Sequence, residues 1–175
     1  MNTQDQTSDN QKDTPAIYVG TYEKYNNGSI AGEWLSLAEH DTEEKFYDAA
    51  RKLHKNEHDP ELMFQTFENF PRAFYGESGC DSRLWEWLAL DKYDREIVAA
   101  WLDQCSGTDS IEYILDCHIG SADSWSEYVE DYVDNHISIP EHLQGYFDYD
   151  AYGQDLRHDY TVADTNGGVW VFHNG

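Results

Sequence analysis

Short apolar runs separated by turn-forming residues open the chain after its polar start. "AIYVGTY" (16–22) predicts a strand, and the turn sequence "NNG" separates it from a second predicted strand, "AGEWLSL" (31–37). A helical period follows at 42–54, and "LMFQTFE" (62–68) is rich in β-forming residues and predicts a third strand. The apolar stripe of the helix consists of Phe46, Ala49, Ala50 and Leu53. A segment with Pro and Gly at 69–79 ends this first predicted unit.

Helical patterns dominate the next part of the chain. Residues 81–104 predict two short helices, and a further short helix after residue 107 is followed by an acidic helix at 121–136. Two β-rich runs around an Asn-Gly-Gly turn at 160–172 predict a β-hairpin. The predicted N-terminal caps are Asp41, in a capping box with Glu44, and Asp109, for the short helix after residue 107.

The order of these elements predicts an α+β protein made of three small domains in series. The first domain is β-rich, the middle domain is short and helical, and the third is α+β. The predicted parts are a disordered tail at 1–14, an N-terminal domain at 15–79, a middle domain at 80–106 and a C-terminal domain at 107–175.

The segment at 121–136, "SADSWSEYVEDYVDNH", has five carboxylates and no Lys or Arg. On a helix its carboxylates fall within an arc of about 100°, opposite the apolar and aromatic residues. Carboxylates three or four residues apart repel each other, and a helix ordinarily intersperses basic residues at these spacings. The acidic side consists of Asp123, Glu127, Glu130, Asp131 and Asp134, and the packing side of Trp125, Tyr128, Val129, Tyr132 and Val133.

The chain of 175 residues has a formal net charge of −24, and the imbalance is concentrated in its second half. Residues 96–175 contain 16 acidic residues and one basic residue, Arg157. Such an excess predicts disorder when aromatic residues are few, but 6 Trp, 13 Tyr and 7 Phe are available for a core. The sequence therefore indicates a folded protein that repels nucleic acids and anionic membranes and attracts basic surfaces or cations.

Three cysteines, Cys80, Cys105 and Cys117, are odd in number and form no CxxC pair. Free thiols in a reducing cytoplasm explain this pattern better than a disulfide framework. The polar start of the chain lacks the apolar segment of a secretory signal, and no apolar run is long enough to cross a bilayer. We therefore expect a cytoplasmic protein.

No pattern of catalytic or metal-binding residues stands out. Among 35 acidic residues some pair will lie at a glycosidase-like spacing by chance, and no pair is distinguished from the others. Cys117 and His118 are adjacent, but a tetrahedral zinc site needs two further ligands at regular spacing. "DYDAYGQDLRHD" (148–159) begins like an EF-hand calcium loop and has Gly at its sixth position. It departs from that loop at the fifth, eighth and twelfth positions, which are Tyr152, Asp155 and Asp159.

The charge array itself is the remaining candidate for a function. Carboxylates at i and i+4 lie about 6 Å apart along a helix axis, and duplex DNA carries about one charge per 1.7 Å of its axis. At that density, the charge of 24 matches about 40 Å of duplex. The Lys and Arg residues of a DNA-binding groove do not distinguish oriented carboxylates from phosphates by charge alone. The alternative is an ordinary solvated surface that keeps the protein in solution.

Three segments of the sequence resemble the ArdA-type antirestriction proteins, the DNA mimics carried by mobile elements. They are "PAIYVGTYEKYNNGSIAGEWLSL", "DPELMFQTFENFP" and "SIPEHLQGYFDYDAYGQDL". The resemblance extends over about residues 15–170. Its first and third segments are specific because they combine aromatic, Gly, Asn and Pro positions, whereas 80–135 matches mainly in acidity and helical character.

The resemblance implies an elongated chain of three small domains that dimerises through the third and follows the charge of bent B-form DNA. Such proteins occupy the DNA-binding groove of type I restriction-modification enzymes and block restriction, often together with modification. The segment at 138–156 corresponds to the family's antirestriction motif, which lies at or near its dimer contact. Similar proteins have Arg where Gln154 stands here, so this motif is more acidic. The candidates for the dimer contact, which the core of the third domain would explain equally well, are Ile139, Leu143, Tyr146 and Phe147.

We therefore expect a non-enzymatic homodimer that binds the DNA-binding groove of a type I restriction-modification enzyme and uses no metal or cofactor. An acidic adaptor that binds a basic region of another host protein is the alternative, and a metal-dependent or glycosidase-like enzyme comes third. The acidic residues predicted to form the DNA-mimicking surface are Asp109, Glu112, Asp116, Asp123, Glu127, Glu130, Asp131, Asp134, Asp148, Asp150, Asp155 and Asp159.

Overall fold

The computed structural model describes residues 13–105 and 107–174. These residues form two three-stranded antiparallel sheets and seven α-helices, which confirms the predicted α+β class. The chain divides into two compact units, Met1–Leu90 and Asp91–Gly175. The division into three domains stays a prediction, and the tail predicted at 1–14 lies outside the described residues except for its last two. None of the described helices combines the length and the apolar character needed to cross a bilayer.

The first unit combines a three-stranded sheet with three α-helices. Its elements are β1 (Ala16–Thr21), α1 (Tyr22–Asn26), β2 (Glu33–Ser36), α2 (Glu43–Leu53), β3 (Leu62–Glu68) and α3 (Arg83–Ala89), with short 3-10 helices at Leu37–Glu39 and Arg72–Phe74. The strand order is β2-β1-β3, and both strand pairs are antiparallel. The three predicted strands and the predicted helix of this part are confirmed, whereas the short helix α1 was not predicted.

One face of this sheet forms the core of the first unit. Ile17 and Val19 of β1 point to this side and are fully buried. Helix α2 covers them with Phe46 and Ala50, and the Phe46 ring lies 5.9 Å from the ring of Phe64 in β3. Each large apolar side chain buried in this way contributes about 1.5–3 kcal/mol. The alternation along β1 therefore fixes which face of the sheet α2 covers.

A buried polar network joins the end of α2 to β1. Lys24 Nζ lies 2.6 Å from His54 Nδ1 and 3.2 Å from Glu57 Oε1. Because an ammonium group only donates hydrogen bonds, His54 Nδ1 accepts, and His54 Nε2 donates to the carbonyl of Val19 at 3.3 Å. His54 is therefore neutral, and its burial together with the Lys24 charge lowers its pKa.

The second unit combines another three-stranded sheet with four α-helices. Its elements are α4 (Lys92–Gln104), α5 (Ile111–Cys117), β4 (His118–Ala122), α6 (Trp125–His136), α7 (Tyr149–Leu156), β5 (Tyr160–Thr165) and β6 (Gly168–His173), with a 3-10 helix at Glu141–Tyr146. The strand order is β4-β6-β5, with antiparallel pairs. The predicted hairpin is confirmed as β5 and β6. Strand β4 was not predicted, because "HIGSA" contains one β-branched residue and a glycine.

Helices cover both faces of the second sheet. Helix α4 lies on one face, where the rings of Trp101 and Phe172 have centroids 5.1 Å apart. Helix α6 lies on the other face, where a Cβ added to Gly120 would come within 3.1 Å of the Tyr128 ring. Gly120 pairs with Val171, whose side chain points away from that of its neighbour Phe172. Glycine in β4 therefore allows α6 to pack closely on the sheet.

Two helices begin with a different cap from the predicted one. Thr42, rather than Asp41, caps α2 by accepting a hydrogen bond from the backbone of Lys45, and Asp41 instead accepts from Lys45 Nζ at 2.6 Å. Ser110, rather than Asp109, caps α5. Both predicted caps are wrong by one residue, because neighbouring Asp and Ser or Thr side chains are equally good acceptors and the apolar period does not separate them.

Candidate functional site

The outer side of α6 carries carboxylates without a basic partner. Glu130, Asp131 and Asp134 are exposed, and no Lys or Arg in the described part of the chain lies within ion-pair distance of them. The opposite side of the helix is buried through Val129 and Val133. Helix α6 thus separates charge from packing, as its sequence pattern predicts.

The start of α6 changes the role of two predicted acids. Ser124 caps the helix by accepting from the backbone of Glu127 at 3.2 Å, and Glu127 Oε2 accepts from the backbone N–H of Asp123 at 3.2 Å. The prediction that Asp123 lies on the helical face is wrong, because the chain forms β4 up to Ala122 and the helix begins only at Trp125. A carboxylate in the first turn also interacts favourably with the helix dipole. Glu127 therefore stabilises the helix start as well as adding charge.

The predicted acids in and before α5 differ in exposure. Asp109 is half-buried, and its Oδ2 accepts from Trp101 Nε1 at 3.1 Å. Glu112 and Asp116 are exposed and lie one turn apart on α5. Asp109 thus ties the segment before α5 to α4, whereas Glu112 and Asp116 contribute charge to the surface.

The acids of the α7 region surround no common centre. Asp148 caps α7 by accepting from the backbone of Ala151 at 2.9 Å, while Asp150, Asp155 and Asp159 are exposed. Most of the segment that begins like a calcium loop is therefore helical, and a helix does not wrap its side chains around an ion as an EF-hand loop does. Within residues 13–105 and 107–174, no group of three or more His, Cys, Asp or Glu is arranged to hold a metal ion.

Arg157, the one basic residue of the last 80, is engaged within its own unit. It forms an ion pair with Asp164, and its guanidinium lies 5.3 Å from the centroid of the Trp125 ring. Trp125 Nε1 in turn donates to the carbonyl of Gly153 at 3.0 Å. These contacts join α6, α7 and β5, and they leave the carboxylates of α6 without a neutralising partner.

A ladder of aromatic rings lines the reverse side of α6. Trp125 stacks on Tyr128 at 5.4 Å, Tyr128 lies 6.4 Å from Tyr132, and Tyr132 stacks on His136 at 4.4 Å. Burial, together with a hydrogen bond to Tyr132, raises the pKa of Tyr160 to about 12, so this phenol adds no charge at neutral pH. Ring contacts at three- and four-residue spacing stabilise a helix. These ring contacts stabilise α6 in place of the ion pairs that it lacks. The three- and four-residue spacing of the aromatic residues in the sequence could have predicted the ring contacts.

The four residues predicted at a dimer contact lie in two environments. Ile139 and Phe147 are partly buried and pack against the buried residues of α6 and α7. Leu143 and Tyr146, in the intervening 3-10 helix, are 46% and 85% exposed. Leu143 and Tyr146 are therefore available to a partner, whereas Ile139 and Phe147 contribute to the core of the second unit.

The thiols and the neighbouring histidine have no arrangement suited to catalysis. Cys80, Cys105 and Cys117 are free, and burial raises the pKa of Cys80 to about 12, which keeps it protonated. His118 packs against the ring of Trp170, and burial lowers its pKa. Cys117 is buried, whereas Cys80, Cys105 and His118 are half-buried, and these described side chains are not arranged around a common metal centre.

Comparison with protein families finds a family model that matches most of the chain. The family model described as antirestriction protein (ArdA) matches residues 17–171. The match extends over most of each compact unit and includes every acidic residue of the surface described above. Comparison with the curated proteins gives no match.

Proposed function

Because the chain belongs to the ArdA family of antirestriction proteins, we propose that it inhibits a type I restriction-modification enzyme by occupying the groove in which that enzyme binds DNA. The observation that carries this proposal is the surface of the second unit. There the exposed carboxylates of α5, α6 and α7 have no basic partner among the described residues. Such a surface attracts the Lys and Arg residues that line a DNA-binding groove.

The way these carboxylates are held supports the same function. Those of α6 stand on a helix whose other side is packed, so their spacing is fixed before any partner arrives. A partner that binds such a surface does not have to order it first, and the cost of association is correspondingly lower. Many weak contacts then replace a single dominant one, as they do when a protein binds the phosphates of DNA.

Self-association fits this function through the exposed apolar residues of the 3-10 helix. Two copies of net charge −24 repel each other, so a dimer needs apolar contact to form. Leu143 and Tyr146 supply exposed apolar area in the segment at 138–156. We therefore propose that they lie in a homodimer contact, which would double the extent of the acidic surface.

A restriction assay with purified components tests the proposed inhibition. Unmodified DNA bearing the recognition site is cleaved by a type I enzyme at increasing concentrations of this protein, and inhibition should be complete at saturation. A triple variant, Glu130→Gln with Asp131→Asn and Asp134→Asn, should need about tenfold more protein, since three exposed charge contacts contribute roughly 0.5 kcal/mol each.

The matched control keeps the charge and changes only side-chain length. Glu130→Asp with Asp131→Glu and Asp134→Glu should inhibit like the wild type, because a long-range charge match tolerates shifts of about 1 Å. Unmodified phage plated on a restricting host that expresses each variant should give the same ranking. Undiminished restriction with the wild-type protein would contradict the proposal.

A further inference from the structure

The first sheet has a second face that α2 does not cover. In β1, Ile17 and Val19 point to the core, so Tyr18 between them points to the opposite face. Tyr18 pairs with Trp34 on the edge strand β2 and with Thr66 on the edge strand β3. Cross-strand partners share a face, so this face presents two adjacent aromatic side chains.

The aromatic pair is built into place by its neighbours. The rings of Tyr18 and Trp34 meet edge to face, with centroids 5.5 Å apart. Tyr18 Oη accepts from the backbone N–H of Gly32 at 3.1 Å and donates to the carbonyl of Ile30 at 3.5 Å. A Cβ at Gly32 would come within 2.3 Å of the Val19 carbonyl oxygen, so only glycine fits beside the Tyr18 ring. Trp34 and Ile30 are nevertheless 46% and 72% exposed.

The charge of this face has one sign. Glu68 is exposed and lies on it in register with Ala16, on the edge strand opposite that of Trp34. No position of the described strands on this face is Lys or Arg. The described basic residues of the first unit belong to its helices and loops, namely Lys24, Lys45, Arg51, Lys52, Lys55, Arg72 and Arg83.

We propose that this surface, the Trp34 face (Tyr18, Ile30, Trp34 and Glu68), binds an arginine side chain presented by a basic segment of the partner protein. The guanidinium plane stacks on the exposed indole, and Glu68 gives the same face a negative charge that attracts a basic segment. The partner is the restriction enzyme of the proposed function, so the inference deepens that function. Mimicry of phosphate charge then accounts for only part of the recognition. The exposed indole adds a stacking contact with arginine that phosphate groups do not provide.

Other occupants fit this surface less well. An apolar partner would desolvate Glu68 without giving it a counter-charge. A nucleic acid is repelled by a chain of net charge −24. A second copy of the same face would bring two Glu68 side chains and no cation into one contact, which like-charge repulsion disfavours. A basic segment that contains arginine offers a cation to the aromatic ring and a counter-charge to the carboxylate.

The first test uses a peptide and needs no enzyme. The indole N–H resonance of Trp34, assigned by its loss in Trp34→Phe, is followed in a two-dimensional NMR titration with the peptide Gly-Arg-Gly-Arg-Gly-Arg. We expect a saturable shift with this peptide and none with the isosteric citrulline peptide, which lacks the charge. A Trp34 resonance that ignores the arginine peptide, or that moves with the concentration of the protein alone and so assigns the face to a second copy, would overturn the proposal.

The second test measures inhibition of the restriction enzyme. Trp34→Leu keeps an apolar side chain and loses the ring, and it should inhibit about two- to fivefold less well than the wild type, the range expected for one exposed cation–π contact. Trp34→Phe should retain most of the inhibition, and Tyr93→Ala, at an aromatic residue of the second unit that is 51% exposed, should be unaffected. Equal inhibition by Trp34→Leu and the wild type would refute the role of this face while leaving the proposed function intact. If the wild type does not inhibit at all, the proposed function fails and the peptide titration alone decides.

Discussion

Removing the unpaired charge from α6 should stabilise the protein while weakening its inhibition of restriction. The change is the triple variant Glu130→Gln, Asp131→Asn and Asp134→Asn. It leaves Glu127 in place, because that carboxylate accepts a hydrogen bond from the backbone N–H of Asp123 at the start of the helix. Gln and Asn keep the size of the original side chains, so the packed side of α6 is untouched.

The magnitude follows from the spacing of the acids along α6. Carboxylates lie three residues apart at Glu127–Glu130 and Asp131–Asp134, and four apart at Glu127–Asp131 and Glu130–Asp134. A like-charged pair at these spacings costs about 0.2–0.5 kcal/mol, so the variant should gain about 1–2 kcal/mol. Asp134 also lies in the last turn, where a negative charge opposes the helix dipole. For a chain of this length, the gain corresponds to a Tm increase of about 2–8 °C.

Thermal unfolding followed by circular dichroism measures this gain. The increase in Tm should be largest near 50 mM salt and shrink toward 500 mM, where the Debye length falls to about 4 Å. The charge-conserving triple variant should show no comparable gain. An increase in Tm that persists at high salt, or a decrease at low salt, would refute the reasoning from charge repulsion. Unchanged inhibition by the stabilised variant would separate this helix from function.

Three further predictions concern the buried histidine, the glycines and the dimer. Because burial and Lys24 lower the pKa of His54, its contribution to stability is complete above about pH 6.5 and is lost as the pH falls below that value, by up to about 1.4 kcal/mol per pH unit. Urea unfolding between pH 5 and 8 gives the free energy of unfolding as a function of pH, and His54→Gln should make this free energy less dependent on pH. An equal pH dependence in both proteins would contradict the assignment of His54 as a buried neutral side chain. Gly168→Ala should destabilise the protein by about 2 kcal/mol or more, since Gly168 has a φ of +123° and a Cβ there would come within 2.2 Å of a backbone oxygen. Gly28→Ala should cost about 1 kcal/mol, because Gly28 has a φ of +79° but open space around it. Equal losses of stability in the two variants would refute the steric argument. The protein should sediment as a dimer that holds or tightens from about 50 to 500 mM salt, and Leu143→Ser with Tyr146→Ser should make it a monomer; a wild-type monomer at micromolar concentration would contradict the proposed contact.

Local patterns in the sequence located most elements of the fold. β-forming residues predicted strands at 16–22 and 62–68, and the helical period predicted a helix at 42–54. The Asn-Gly-Gly sequence is typical of a hairpin turn. Helix α1 and strand β4 lack such a pattern. Thr21 ends β1 and at the same time caps α1, so the change of structure falls between adjacent residues. Strand β4 depends on its pairing with β6, which lies about 50 residues away in the chain.

The candidate site could be predicted only where it follows the helical period. That period placed Glu130, Asp131 and Asp134 on the outer side of α6, and the structure agrees. Asp123 was misplaced, because the pattern does not tell a residue before an N-cap from one after it. The sequence could not predict that Ile139 is partly buried and Leu143 is exposed. Leu143 lies in a 3-10 helix, which does not follow the 3.6-residue period used to separate buried from exposed positions.

The most direct test of the central claim is whether this protein and DNA exclude each other from the restriction enzyme. Binding of the protein to a type I enzyme is titrated at several fixed concentrations of DNA bearing the recognition site. If both occupy one groove, the apparent Kd of the protein should rise in proportion to the DNA concentration without limit. It should also rise with salt, though less steeply than the Kd of DNA, because carboxylates on a folded protein release fewer condensed counterions than phosphates do. An apparent Kd that levels off as DNA is added would reveal a ternary complex, and the protein would then be an acidic adaptor that binds outside the groove.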